Sequence, residues 1–167
     1  PDQLTNRSTA RELAAAEVSA PPFVDYGSRL YDANLLAADE AFAALWTRLV
    51  AEAGDGGLIT VMTSDHGEEF LEHGQTSHGF SLHDELLRVP LVVHAPGHVG
   101  AGTRLSSPLR SIDLYPTLLE LLDIPPPPRL DGQSFAAELR GQSARGPARL
   151  VFSEKREGPP TPLGRFP

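Results

Sequence analysis

The chain has no cysteine among its 167 residues. That excludes disulfides, a thiolate zinc cage and a cysteine nucleophile within this stretch, and leaves the compartment open. It also has no run of Lys or Arg: 14 basic residues stand against 22 acidic ones, for a formal net charge of −8. A protein that tracks a nucleic-acid backbone needs a basic stripe, so nucleic acid is not an expected partner. The acidity does not exclude an anionic substrate, because a bound cation can reverse the local field. No apolar stretch is long enough to span a bilayer and no signal peptide is legible. The first residue is Pro1 rather than Met. A fragment is therefore expected, without its true N-terminus or any targeting information, and no localisation is assigned.

What is present suffices for one domain with a real core: 40% of residues are hydrophobic, and 16 prolines cluster in connecting segments. Arg11 to Val18 reads as a short Ala-rich helix with Thr9 as its cap, ended by Pro21-Pro22. Tyr31 to Ala53 is the clearest helix, with Leu35, Ala38, Phe42, Leu45 and Leu49 on one stripe. Gly54 to Gly57 breaks it. Leu58 to Thr63 follows as a continuous β-branched apolar run, the pattern of a strand covered on both faces. Ser64 to Leu87 is polar, glycine-punctuated and too long for a plain connection, and loops of that kind carry function. Arg88 to His94 is a second strand candidate. Asp113 to Leu122 reads as a helix capped by Asp113, Ser134 to Arg140 as another capped by Ser134, and Leu150-Val151-Phe152 as a last strand.

Asp65-His66-Gly67-Glu68 stands where the apolar run ends. A carboxylate and an imidazole on adjacent residues can ligate one cation if the backbone turns sharply, and Gly67 permits the turn. Two ligands do not complete a site. The alternative is that Asp65 caps the next segment while His66 is a surface residue. His78, in Ser77-His78-Gly79, has as one reading a loop histidine bonded to backbone carbonyls. Glu68 and Glu69 either support the site from outside or complement a helix dipole. Arg88 pairs with Glu85 as a brace or as a solvated ion pair. His83 reads as a surface residue near a helix start, and His94 as packing. A zinc site from His73, His78 and His83 is possible by count, but five-residue spacing does not share a helical face.

The string from Leu58 to Gly97, LITVMTSDHGEEFLEHGQTSHGFSLHDELLRVPLVVHAPG, resembles the sulfatase family of the alkaline-phosphatase-like superfamily. YDANLLAADEAFAALWTRL, RSIDLYPTLLELLDIPPP and LDGQSFAAELRG resemble the family's flanking segments in the right order, over about residues 28–141. The resemblance implies that Asp65 and His66 bind a divalent metal, Ca²⁺ first, with Mn²⁺ or Zn²⁺ as alternatives. It implies that His78 contacts the transferred group or the leaving oxygen, and that His73 lines the site. The substrate implied is a small anionic ester.

Sulfatases carry a Cys/Ser-x-Pro-x-Arg motif whose first residue becomes formylglycine. In the family that motif precedes the metal-binding segment, and no Cys or Ser-x-Pro-x-Arg stands ahead of Asp65 in this chain; Ser106-Ser107-Pro108-Leu109-Arg110 has the spacing but lies after it. The formylglycine position is thus not in this chain. The expected fold is α/β, a three-layer α/β/α sulfatase-like sheet left incomplete because the N-terminal strands and nucleophile region are absent. Residues 1–30 are expected as a polar surface segment, 31–157 as the C-terminal part of the catalytic domain, and 158–167 as a disordered tail. The expected function is that of a fragment of a sulfate-ester hydrolase, inactive alone. A phosphodiesterase or phosphotransferase of the same superfamily is the alternative, toward which an Asp-His pair leans. A pseudoenzyme or metal-binding module is the other.

Overall fold

Helix α1 runs unbroken from Ala20 to Ala53 in the computed structural model, which describes residues 20–54, 57–144 and 146–155. The short helix expected at Arg11 to Val18 and the tail expected at 158–167 lie outside the described residues. Pro21-Pro22 stands in the first turn of α1. A proline in the first turn forgoes only an N–H that has no intrahelical acceptor, and its fixed φ already suits the helix. The expected apolar stripe is corrected in part. Phe42 and Leu49 are half-buried, joined by Trp46, whereas Leu35 and Leu45 are 59% and 50% exposed.

The described residues form two two-stranded antiparallel ribbons together with helices, a partial α/β fold. Strand β1 (Thr60–Thr63) pairs with β4 (Leu91–His94), Thr60 opposite His94 and Thr63 opposite Leu91. Strand β2 (Glu69–Phe70) pairs with β3 (Thr76–Ser77). Helix α2 is Asp84–Leu87. A 3₁₀ turn at Ser111–Asp113 leads into α3 (Leu114–Leu121), and α4 is Ala136–Leu139. β1 was expected to be covered on both faces, yet Met62 and Thr63 are exposed. β1 has one neighbouring strand among the described residues, and its second half is uncovered on both faces. No strand forms at Leu150-Val151-Phe152.

The chain divides into two compact units. One contains residues 40–63 and 91–152. Its core is Ala95, Leu121, Phe135, Ala136 and Leu139, onto which Leu91 and Val93 of β4 pack. Alternation along β4 puts these two inward and Val92 outward, as a pleated strand with one buried face requires. The His94 ring meets Trp46 edge-on at 4.9 Å, the packing role its position at a strand end suggested.

The other unit contains residues 1–39, 64–90 and 153–167, and all the candidate site residues fall in it. Here Tyr31 of α1 meets Phe70 of β2 edge to face, at 5.5 Å between centroids. The five residues between β2 and β3 reverse the chain through left-handed backbone at Leu71 (φ 71°) and Gly74 (φ 83°). Leu71 N–H donates to Gln75 O and Gly74 N–H to Leu71 O, so the reversal satisfies its own backbone.

Candidate metal and acid-base site

Past β1 the chain turns at once. Ser64 Oγ donates to His66 O at 2.7 Å, and His66 N–H donates to Asp65 Oδ1 at 3.0 Å. Gly67 N–H donates to Leu86 O of α2 at 2.9 Å. A Cβ at residue 67 falls on the Glu85 carbonyl oxygen, so the close approach of this turn to α2 admits only glycine. Gly67→Ala is therefore expected to lower the unfolding free energy by about 1–3 kcal/mol through backbone displacement, read from the urea midpoint at unchanged m-value.

The turn sets Asp65 and His66 facing each other. His66 Nδ1–H donates to Gly67 O at 2.8 Å, which fixes the tautomer and leaves the Nε2 lone pair outward. Nε2 lies 3.7 Å from Asp65 Oδ2. Two ligand atoms on one cation at bond lengths of about 2.0–2.4 Å stand about 3.0–3.6 Å apart, so a small rotation brings both onto a shared ion. Asp65 is open to solvent, with 86% of its side chain exposed. Its carboxyl is held below the ordinary value by its own backbone N–H, then by the charge of His66 and the His66 N–H. It is thus ionised over the neutral range, as ligation requires. The residues present fit a hard divalent cation.

His78 stacks on this imidazole, ring centroids 3.9 Å apart and planes at 28°. Its Nδ1 lies 3.3 Å from Glu68 Oε2. Of the two readings open for Glu68, the structure displays the supporting one: the carboxylate orients His78. The backbone before His78 is strained, since buried Ser77 sits at φ 76°. A left-handed non-glycine residue costs about 1–2 kcal/mol and aims the next side chain. His78 is half-buried between these partners and, among the described residues, is not held by backbone carbonyls.

His73 is not brought to this stack. Its Nδ1 bonds Glu85 Oε1, and its ring lies on His83 at 3.5 Å and 12°. The four loop histidines thus form two stacked pairs, 66 with 78 and 73 with 83, in place of the three-histidine zinc cluster that counting allowed. Glu85 does not pair with Arg88, which lies 4.0 Å from Asp84 on the surface. The burial of Glu69 was not anticipated in the sequence reading. Adjacent residues of extended chain point to opposite sides, so as Glu68 turns to His78, Glu69 turns inward and is 1% exposed. The alternation was the available signal.

The family comparison matches the model described as Sulfatase over residues 8–124. The chain is 30% identical over 138 residues to the uncharacterized sulfatase YidJ of Escherichia coli, covering 81% of this chain and 27% of that protein. It is 37% identical over 86 residues to arylsulfatase K of Mus musculus, covering 52% of this chain and 15% of that one. Among solved structures, the phosphonate monoester hydrolase SpPMH from Silicibacter pomeroyi matches with a TM-score of 0.46 at 32% identity, covering 52% of this chain and 17% of that one. The chain thus spans roughly a quarter or less of the length of the curated relatives it matches. With most of its length matched by one family model, in the segment that holds the Asp65 turn and both histidine pairs, the chain belongs to the sulfatase family.

Proposed function

We propose that this chain is part of a metal-dependent sulfate-ester hydrolase and supplies one side of its metal site together with the acid for the leaving group. The observation that carries the reading is the Asp65–His66 pair, 3.7 Å apart, with His78 stacked on the same imidazole. A divalent cation bound there, Ca²⁺ before Mn²⁺ or Zn²⁺, would stabilise negative charge on the ester's non-bridging oxygens. Asp65 and His66 hold it, and Gly67 O keeps His66 in the tautomer that offers Nε2. Glu68 accepts the His78 Nδ1 proton, which leaves Nε2 to carry the proton that moves to the departing oxygen as its bond to sulfur breaks.

The chain has no Cys, and its one Ser-x-Pro-x-Arg string, Ser106 to Arg110, follows the metal-binding segment instead of preceding it, so the nucleophile is assigned to residues outside this stretch and the 167 residues alone are expected to turn over no ester. The imidazole at position 66, where an amide would favour sulfate chemistry, supports phosphoryl transfer as the second reading. The test uses the open reading frame that contains these residues, expressed whole and loaded with Ca²⁺ or Mn²⁺. It is expected to hydrolyse 4-nitrophenyl sulfate faster than 4-nitrophenyl phosphate. His78→Asn is expected to lower kcat about 10²-fold for this activated phenol and more for an alkyl sulfate, whose leaving group needs a proton. Faster phosphate or phosphonate cleavage transfers the assignment to the second reading. Equal losses for both leaving groups remove His78 as the acid, and robust turnover by the 167-residue chain alone overturns the fragment reading.

A further inference from the structure

Glu69, His73 and Glu85 take no part in the proposed hydrolysis, yet they converge. One carboxylate oxygen of Glu69, one ring nitrogen of His73 and one carboxylate oxygen of Glu85 lie within 4.8 Å of one another. They come from three places: β2, the tip of the β2–β3 loop and α2. A second, independent observation points to a ligand. Glu69 is 1% exposed; its Oε2 accepts from Ser81 Oγ at 3.1 Å, while its Oε1 is buried with no hydrogen-bond partner among the described residues. A buried carboxylate oxygen without a donor is costly, and native folds satisfy such atoms with a partner, a water or an ion.

We propose that Glu69, His73 and Glu85 form a second divalent-cation site, separate from Asp65–His66, that takes a transition dication of the Zn²⁺ class and fastens the β2–β3 hairpin to α2. Two carboxylates and one imidazole are a ligand set zinc accepts, and the mixed N/O donors favour it over Ca²⁺, which wants six or more oxygens. Around zinc the donors stand about 3.4 Å apart, a spacing within the 4.8 Å that bounds these three atoms. Glu69 is the anchored ligand, fixed by burial and by Ser81. Glu85 sits in the first turn of α2, where its own backbone N–H, and beyond that His73, hold its carboxyl below the ordinary value against the opposing effect of burial. His83 stacks on His73 and fixes the plane of the one ligand that stands at a loop tip. A cation here closes the hairpin onto the helix whose Leu86 carbonyl receives Gly67 N–H, so it stiffens the turn beside the first site. The inference does not depend on the hydrolase reading.

Isothermal titration of the whole 167-residue chain with zinc chloride, in an Asp65→Ala background that removes the first site, tests it. One equivalent is expected to bind, and the thermal midpoint is expected to rise with Zn²⁺ and not with Ca²⁺. Glu69→Gln and His73→Asn are each expected to weaken binding tenfold or more. His73 stands exposed at a loop tip, so His73→Asn keeps the test decisive where Glu69→Gln does not fold. The visible spectrum of Co²⁺ used as a substitute is expected to show a low-coordinate band that His73→Asn removes. Absence of Zn²⁺ binding in the Asp65→Ala background, or binding that both His73→Asn and Glu85→Gln leave unchanged, overturns the site without touching the Asp65–His66 reading. Binding of Ca²⁺ as tight as that of Zn²⁺ overturns the assigned class.

Discussion

Asp113→Ala is expected to lower the unfolding free energy by about 3–5 kcal/mol, read from urea midpoints, because it breaks one side of a buried charge network. Asp113 has no exposed surface. It accepts from Arg110 Nη2 at 2.7 Å, from Arg110 Nε at 3.1–3.2 Å, and from the backbone N–H groups of Arg110 and Gln133 at 3.1 and 2.8 Å. Arg149 lies behind it, 5% exposed in its side chain, with Nε 3.5 Å from Asp113 Oδ2 and Nη1 2.6 Å from Glu138 Oε1. Arg149 Nε has no hydrogen-bond partner among the described residues, so the nearby Asp113 charge is what compensates it. Alanine removes that charge and also the carboxylate that accepts from the Gln133 N–H. The loss is comparable to a large share of the roughly 5–15 kcal/mol that holds a domain together. A pH dependence accompanies it. Burial pushes the Asp113 carboxyl up, and the Arg110 guanidinium with the Gln133 and Arg110 N–H groups more than reverses this, so the folded value lies below the ordinary one. A depressed carboxylate contributes stability that is complete above the unfolded value of about 4 and is lost as pH falls through the folded value. Asp113→Asn is expected to flatten the fall in midpoint between pH 5 and pH 3 relative to wild type.

The same residue shows what a sequence pattern can and cannot carry. Spacing suggested Asp113 as a cap for α3, since an acid before an apolar helical stripe is the usual signature. In the structure it has helical backbone, makes no side-chain cap bond to α3, and instead accepts Arg110 N–H across the 3₁₀ turn and Gln133 N–H from far along the chain. Capping is local and leaves a local mark. A partner twenty residues away leaves none.

The sulfatase-like order of segments was legible because it is an ordered set of many weak signals, and the family match bears it out. The Asp65 turn was legible because a β-branched run gives way to polar residues and glycine at one point. The pairing of His73 with Glu85, and the burial of Glu69, were not. They depend on a hairpin whose loop is bent by a left-handed leucine, and leucine carries no signal for that conformation. The place of Pro21-Pro22 in the first turn of α1 was not legible either: proline ends a helix or begins one according to which side the helix lies on, and the dipeptide does not say which.

Removal of Asp65 is expected to have the largest effect on chemistry. In the whole reading frame, Asp65→Ala is expected to lower kcat/KM for 4-nitrophenyl sulfate by about 10³-fold or more, since a Lewis-acid contribution of several kcal/mol goes with the cation. The carboxylate would be the stronger of the two proposed ligands: it is exposed, ionised, and held below its ordinary value chiefly by its own backbone N–H. Because that value is depressed, acidification does not remove this ligand until the pH falls below about 4, so a loss of cation binding nearer neutrality must come from another group. His66→Asn separates ligand from scaffold. An amide oxygen replaces Nε2 as a harder donor, so Ca²⁺ is expected to support a larger share of wild-type activity than Mn²⁺ or Zn²⁺ does. The stacked His78 loses its imidazole neighbour but keeps its bond to Glu68. Titration calorimetry with the three cations on Asp65→Ala and His66→Asn reads the binding directly. Undiminished binding in Asp65→Ala would show that the cation is held somewhere other than the turn after β1, and an unchanged cation preference in His66→Asn would show that Nε2 is not a ligand.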